Sequence, residues 1–248
     1  YQVDKYIKNY IINYTGGDDL ADKLRMLEWL VVDCQLPCPP AHFFVAHGRW
    51  QLLDWMASDP SRLDMCAPVD EELRKHCKGI AWLGDVSGRG SSADLMVCEV
   101  LSILAAGLGE YGVLKLLLEK YVNRKDVLCV GGRNLLHIAA QQGQVIVIKY
   151  LVANAVLPVK KLTLSGLAAC HLAISNGHLH AAQLLMEVGS DVLDGAGMSV
   201  NWYASKSNLV SLVTWAEKER NAADQRYISN MILERVPTTV LMQYIERC

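Results

Sequence analysis

The sequence predicts an all-α fold, a solenoid of stacked helix–turn–helix units with short hairpin or loop connections. Residues 132–143 and 166–177 carry the same pattern, in which a glycine, a histidine and a second glycine each recur 34 residues later. Apolar residues follow the second glycine of both copies at matching helical offsets. A fixed period of about 20–50 residues predicts a repeat architecture. Each unit is too short and too one-sided to be stable alone, so neighbours must stack to bury their open faces.

Several positions of these two copies match a known motif. The matching residues are His137, His171, Ala139, Ala140, Ala173, Gly143 and Gly177. On these residues the segment 129–192 resembles the ankyrin repeat, whose hallmark is Gly-x-Thr-Pro-Leu-His-x-Ala-Ala-x-x-Gly followed by a second helix. The Thr-Pro pair is replaced in both copies, so they are divergent. The resemblance implies that the motif histidine lies at the base of the first helix and hydrogen-bonds neighbouring backbone.

Further copies occur at the same offsets on both sides. One lies 34 residues upstream, with Gly109 at the turn and Ile103 in place of the motif histidine. Another begins at Pro40, where His42 and Gly48 fall at the histidine and glycine positions. A weaker copy begins near residue 197. The repeats therefore extend well beyond the two clear copies.

We predict a single domain over residues 1–248. Its expected divisions are N-terminal capping helices at 1–34, a repeat at 35–60, a degenerate repeat or an insertion at 61–92, repeats at 93–128, 129–161 and 162–193, a divergent repeat at 194–220, and C-terminal capping helices at 221–248. An amphipathic helix is expected over 20–32, because Leu24, Leu27 and Leu30 share one face. Terminal units of a solenoid are atypical because one face must meet water.

Composition narrows the classes of function. Hydrophobic residues make up 52% of the chain and charged residues 20%, which is globular composition rather than disorder. The net charge of -2 gives no basic field, so nucleic acid is not expected as a partner. The longest apolar stretches are broken by charged residues and fall short of the roughly 20 residues that span a bilayer, so membrane insertion is not expected. The sequence begins at Tyr1 rather than Met, so we expect a domain or processed piece of a longer protein.

The eight cysteines are too sparse for a small disulfide scaffold. Several lie inside apolar helical runs, as Cys98 does, where a reduced cysteine acts as a small hydrophobe. We therefore expect a reducing compartment and a cytoplasmic protein.

Two clusters invite a metal or catalytic interpretation. Cys170, His171, His178 and His180 are close in sequence, but the repeat accounts for His171 and His178, and Cys170 stands at a buried leucine position. Cys34, Cys38 and His42 flank a proline-rich corner, and nothing fixes the geometry of a nucleophile and its base. We interpret both clusters as structural and predict no metal, cofactor or catalytic residue.

Two further features have structural interpretations. The glycine-rich segment 84–92 lacks the Lys-Ser/Thr pair of a phosphate-binding loop, so we predict a flexible loop in which Ser91 or Ser92 caps the next helix. Four tryptophans stand beside leucines and are predicted to lie in the core rather than to form a ligand platform. They are Trp29, Trp50, Trp55 and Trp215.

The resemblance also implies a binding surface. Repeats of this family bind other proteins, and positions around the first glycine and just before the turn glycine line the concave face of the stack. The residues at these positions are Val130, Arg133, Gln141, Gln142, Leu164, Leu167, Ser175, Asn176, Met198 and Lys206. We expect a non-catalytic scaffold that binds a partner protein or peptide there.

Two alternatives stay open at this stage. The chain is a structural subunit of a larger assembly if both the convex and the concave faces expose apolar patches. It is an enzyme if the irregular region 61–92 forms a deep cleft that joins Cys66, His76 and Cys77, or if the activity resides in a domain outside this chain. The sequence leaves the partner's identity and the oligomeric state open.

Overall fold

The computed structural model describes residues 20–35, 40–80, 95–122, 130–154, 156–189 and 194–198, together with residues 200 and 203. Its α-helices span Leu20–Glu28 (α1), Ala41–Ala46 (α2), Trp50–Ala57 (α3), Glu71–Lys78 (α4), Val97–Leu108 (α5), Tyr111–Leu116 (α6), Leu135–Gln141 (α7), Val145–Ala153 (α8), Ala169–Ser175 (α9) and Leu179–Glu187 (α10). Short π-helical turns follow α1 and α6, at Trp29–Asp33 and Leu117–Tyr121, and a 3-10 turn covers Val130–Gly132. Within these ranges no strand occurs and β pairing is limited to isolated bridges, such as that between Pro68 and Met96, so the all-α prediction is confirmed.

Each helix pair is joined at a glycine whose backbone is left-handed. Gly109 follows α5 with a φ of 83°, and Gly143 separates α7 from α8 with a φ of 70°. Gly48 and Gly177 hold the same place in their own pairs, with φ of 63° and 81°. Glycine adopts this conformation without the steric penalty that a β-carbon brings. The motif glycines thus turn the chain back so that the second helix packs on the first.

The helix pairs stack in register to form one continuous core. The first helices lie side by side in the order α2, α5, α7 and α9, and the second helices in the order α3, α6, α8 and α10. Small side chains such as Ala139, Ala140 and Ala173 are fully buried where the first helices meet. Their size lets the helices approach closely, and the larger aliphatic residues fill the space between the two layers.

Neighbouring repeats are also connected at their turns. The residue after each turn glycine lies over the turn glycine of the preceding repeat, so a β-carbon at Gly109 would overlap the carboxamide of Gln144. That carboxamide donates a hydrogen bond from Nε2 to Gly107 O at 3.0 Å. Glu110 covers Gly48 in the same way. Each turn therefore fixes the position of the next.

The region between α3 and α5 does not separate the repeats on either side of it. Helix α2 packs directly on α5, and α3 packs on α6. The intervening chain instead covers the start of α5, where the amides of Val97 and Cys98 donate to Ala67 O at 3.0 Å and Met65 O at 3.1 Å. We call the described part of this segment, residues 61–80, the insertion, because it does not lie between the two helix pairs in the stack.

The insertion carries a short helix of its own. Asp70 caps α4, because its Oδ1 accepts a hydrogen bond from Leu73 N at 2.7 Å. Leu73 and Cys77 are the buried residues of α4. The ring of His76 stacks on His42 of α2 with a centroid distance of 3.9 Å. The insertion is thus packed on the stack through one face of α4.

The helix expected at 20–32 is present as α1 and the π-helical turn after it. Leu27 is buried, while Leu24 and Leu30 pack partly buried against the core. The cap predicted for the helix after the glycine-rich segment is wrong. Helix α5 begins at Val97 with Met96 as its N-cap, and Glu99 Oε2 accepts from Met96 N at 3.0 Å, so neither Ser91 nor Ser92 caps it.

Parts of several predictions lie outside the described residues. These parts are the chain before residue 20, the glycine-rich segment 84–92, Cys38, Trp215 and Lys206, and the C-terminal helices expected after residue 220.

Candidate functional site

The motif histidine of α7 connects its helix to the hairpin of the next repeat. His137 is 1% exposed, its Nδ1 accepts from Asn134 N at 3.2 Å, and its Nε2 donates to Lys161 O at 3.0 Å. Burial lowers the pKa of His137 to about 4, which keeps the ring neutral. A neutral ring can accept a hydrogen bond at Nδ1 and donate one from Nε2. His171 makes the corresponding contact in α9, where its Nδ1 accepts from Ala168 N at 3.1 Å. His137 thereby helps to fix the position of the next hairpin.

Backbone hydrogen bonds align successive hairpins. Leu164 N donates to Gly131 O at 2.8 Å, and Gly195 N donates to Gly166 O at 2.9 Å. Gly166 and Gly195 approach so closely that a β-carbon on Gly166 would lie 2.7 Å from Gly195 Cα. The hairpins of three consecutive repeats therefore form a continuous row at one edge of the stack.

The predicted apolar residues of the binding face lie on these hairpins. Leu164 is 84% exposed and Met198 is 38% exposed, while Leu167 is half-buried. Val130 stands in the 3-10 turn that opens its hairpin. Because Val130, Leu164 and Met198 are each 34 residues apart, they occupy the same position in three successive repeats.

The predicted polar residues lie at the ends of the first helices. Gln141 and Gln142 close α7 and are half-buried, and Ser175 and Asn176 close α9 and are exposed. Arg133 Nη1, on the hairpin before α7, donates to Gln141 Oε1 at 2.8 Å. This hydrogen bond brings the hairpin and the helix end together on one face of the stack. We call the face formed by these polar residues and the exposed hairpin side chains the concave face.

The chemistry of the described residues gives no sign of a catalytic centre. Where the chain is described, no group of three or more histidines, cysteines or acidic residues is placed to hold a metal ion. Cys170 is fully buried, at the leucine position that the sequence indicated. Cys34 is exposed, and His42 stacks on His76 rather than on a cysteine.

The cavity beside the insertion is not lined by the three residues named for an enzymatic cleft. This cavity has a volume of about 120 Å³ and is lined by Pro40, Ala41, His42, Met56, Arg62, Leu63, Asp70, Glu72, Leu73 and Val97. Cys66, His76 and Cys77 are not among its lining residues. Burial raises the pKa of the Cys77 thiol to about 11, which disfavours the nucleophilic thiolate.

The prediction that the tryptophans lie in the core is wrong for two of them. Trp29 is 55% exposed and Trp50 is 41% exposed. Trp29 stands where α1 ends, and Leu27 fills the core-facing position instead. Trp50 is the first residue of α3 and lies over Gly112 of the next repeat rather than between the helix layers. Trp55 is half-buried beneath the Arg62 guanidinium, which lies 4.5 Å from its ring centroid.

The sequence reasoning also missed apolar exposure on the second helices. Tyr111 opens α6 and is 39% exposed, and Ile146 on α8 is 67% exposed. Both follow a turn glycine by two or three residues, as Trp50 does. Their location near the start of a second helix is the sequence signal that could have identified them. The second helices therefore present an exposed apolar row of their own, formed by Trp50, Tyr111 and Ile146.

Two further observations concern the chain as a whole. No helix in the described ranges is long and apolar enough to cross a bilayer. A family model described as ankyrin repeats, in three copies, matches residues 101–196. No curated protein matches the chain.

Proposed function

We propose that the chain, whose residues 101–196 match ankyrin repeats, is a non-catalytic scaffold that binds a partner protein or peptide on its concave face. Ankyrin repeats are generally protein–protein interaction modules. The proposal assigns the contact to the hairpins and the ends of the first helices between residues 130 and 198. The partner meets a mixed surface of leucine, methionine, amide and hydroxyl groups.

The exposure of Leu164 carries this proposal. A leucine that is 84% exposed leaves apolar surface in water that a bound partner would cover. Single exposed apolar residues are ordinary, but Leu164 and Met198 repeat at one position of the stack. Around them stand side chains that can donate and accept hydrogen bonds, among them Gln142 and Ser175. An apolar centre with a polar rim is the usual composition of a protein interface.

The experiment that tests the proposal is a triple substitution on the concave face. Arg133→Ala, Gln141→Ala and Asn176→Ala together are expected to weaken partner binding about tenfold or more, because they remove several polar contacts beside the apolar centre of the face at once. The melting temperature should stay within a few degrees. Arg133 and Gln141 hydrogen-bond each other, so replacing both side chains together leaves neither without its partner.

A matched triple substitution on the second helices serves as the control. Lys149→Ala, His180→Ala and Glu187→Ala alter exposed residues of α8 and α10. They should leave the affinity for the partner, first isolated on the unaltered chain, unchanged. If the concave triple variant binds as well as the unaltered chain, the concave face is not the site.

A structural subunit of a larger assembly is a second candidate function. The observation in its favour is the exposed apolar row on the second helices, because an embedded solenoid needs apolar surface on both faces. Trp50→Ser with Ile146→Ser distinguishes the two candidates. Loss of a stable complex in that variant, with the concave triple variant unaffected, would favour the subunit.

We place the protein in a reducing compartment such as the cytoplasm. Cys34, Cys66, Cys77, Cys98 and Cys170 form no disulfide within the described residues. Three of these thiols are buried in the core, where they pack as small hydrophobes. A reducing environment would keep them in that state.

A further inference from the structure

Two of the repeats that carry the concave face have a positive net charge, which is not apparent from the net charge of the whole chain. Residues 127–186 contain Arg133, Lys149, Lys160 and Lys161 but no aspartate or glutamate. The chain overall has 24 basic and 26 acidic residues. These two repeats therefore carry a net positive charge around the hairpins of Val130 and Leu164, whereas the third hairpin, which carries Met198, also contains Asp194.

Three of the four cations lie on or beside the hairpins. Arg133 and Lys161 both lie close enough to His137 to act on its charge. Lys160 extends towards the following repeat, where a β-carbon on Gly189 would lie 3.9 Å from its Cε. Lys149 differs, because it projects from α8 among the second helices and is exposed.

Leu164 stands among these cations. A β-carbon on Gly132 would lie 2.9 Å from Leu164 Cγ, so the leucine side chain covers the glycine that precedes Arg133. Leu164 is itself three residues after Lys161. An exposed apolar side chain thus lies beside at least two positive charges on one hairpin edge.

We propose that the row of hairpin positions Val130, Leu164 and Met198 binds an acidic peptide segment in the polyproline II conformation, with an apolar side chain at every third residue. The proposal rests on the proposed function and specifies the chemistry of the partner. Its carboxylates complement Arg133, Lys160 and Lys161, and its apolar residues cover Leu164 and Met198.

The repeat spacing sets the spacing of the peptide. Packed helices lie roughly 8–10 Å apart, so equivalent positions of neighbouring repeats are separated by about that distance. Three residues of a polyproline II segment advance about 9 Å and bring the side chain back to the same face. A peptide with leucine, isoleucine or methionine at every third position would therefore meet one hairpin after another.

The same cations could attract the phosphates of a nucleic acid, but the rest of the row favours a peptide. Surfaces for single-stranded nucleic acid stack the bases on aromatic side chains. The row presents aliphatic and thioether side chains instead. Leucine and methionine suit the apolar side chains of a peptide.

The test is a selection from a library of random peptides of about 12 residues, displayed on phage, against the full chain. We expect the selected peptides to be enriched in aspartate and glutamate, with apolar residues three apart. One selected peptide is then synthesised and titrated against four variants. Leu164→Ser should weaken its binding about tenfold, and Lys161→Glu about threefold or more. Because Leu164 is exposed, its substitution should leave the circular dichroism spectrum and melting temperature unchanged.

Matched controls stand on the second helices. Ile146→Ser removes an aliphatic side chain that is 67% exposed, and Lys149→Glu reverses an exposed charge on the other side of the stack. Both should bind the peptide as the unaltered chain does. Equal losses in these controls would overturn the assignment to the hairpin row.

Other outcomes also overturn the inference. Selection of neutral or basic peptides, of no peptide, or of peptides insensitive to Leu164→Ser would contradict an acidic partner on the hairpin row. Tighter binding of an oligouridine of about 20 nucleotides, lost in Lys161→Glu, would assign the row to nucleic acid. The triple alanine variant decides separately whether the concave face binds a protein, so failure here is distinguishable from failure of the proposed function.

Discussion

Lowering the pH from 7 to 4 is expected to remove about 3 kcal/mol of folding stability through His137 alone. The ring is 1% exposed, and burial is the main cause of its lowered pKa, about 4 against an ordinary value of 6.5. Between these values the unfolded chain binds the proton more tightly than the folded one. The stabilisation is therefore fully present above pH 6.5 and is lost as the pH falls towards 4.

The measurement compares urea unfolding of the unaltered chain and His137→Gln at pH 7 and pH 4.5. The variant loses hydrogen bonds and packing, so it should be about 1–3 kcal/mol less stable at pH 7. Its stability should then fall less steeply with acid, because the group at position 137 no longer titrates. The exposed His180→Gln serves as the control and should follow the unaltered chain. Parallel pH profiles for all three proteins would show that His137 is not held neutral by the fold.

Gly166→Ala is expected to destabilise the stack by about 3 kcal/mol, because two penalties act at one position. Its φ of 80° is left-handed, which a β-carbon disfavours by roughly 1–2 kcal/mol. The new β-carbon would also lie 2.7 Å from Gly195 Cα and 2.8 Å from Gly195 N. These are backbone atoms, so relieving the overlap displaces the next hairpin and strains the hydrogen bond from Gly195 N to Gly166 O.

Gly131→Ala separates the two penalties. Its φ of 79° matches that of Gly166, but no atom of the described residues lies within 4 Å of the added β-carbon. It should therefore lose only the conformational part, about 1–2 kcal/mol. Urea unfolding of both variants measures the difference. If the two substitutions destabilise equally, the close approach of the hairpins at Gly166 contributes nothing.

The stack could be predicted from the sequence because the features that build each unit are local and recur in every repeat. A glycine with positive φ, a buried histidine and small residues where helices meet all appear within a dozen residues of one another. His137, Gly143 and Ala139 occupy motif positions in the sequence, and in the fold they have the structural roles that the motif predicts. The period then places every further unit.

Features that depend on neighbouring units could not be predicted in this way. Trp50 is a residue type that is often buried, yet at the start of α3 its side chain lies over Gly112 of the next repeat. The insertion before α5 supplies backbone acceptors to Val97 and Cys98, which no local pattern encodes. Both outcomes were decided by long-range contacts.

The positions of the candidate site could be predicted from the sequence, but the exposure of its residues and its local charge could not. Repeat offsets identified Leu164 and Met198, but their exposure required the structure. The net charge of the whole chain pointed away from a charged partner. The absence of acidic residues from 127–186 appears only when charge is counted repeat by repeat.

Photo-crosslinking from the two sides of the stack tests the central claim most directly. A photoreactive phenylalanine analogue at position 164 or 176 places the probe on the concave face, and the same analogue at position 146 places it on the second helices. We predict that positions 164 and 176 give the same partner adduct, that the triple alanine substitution reduces it, and that position 146 gives none. An adduct from position 146 alone would contradict the assignment of partner binding to the concave face.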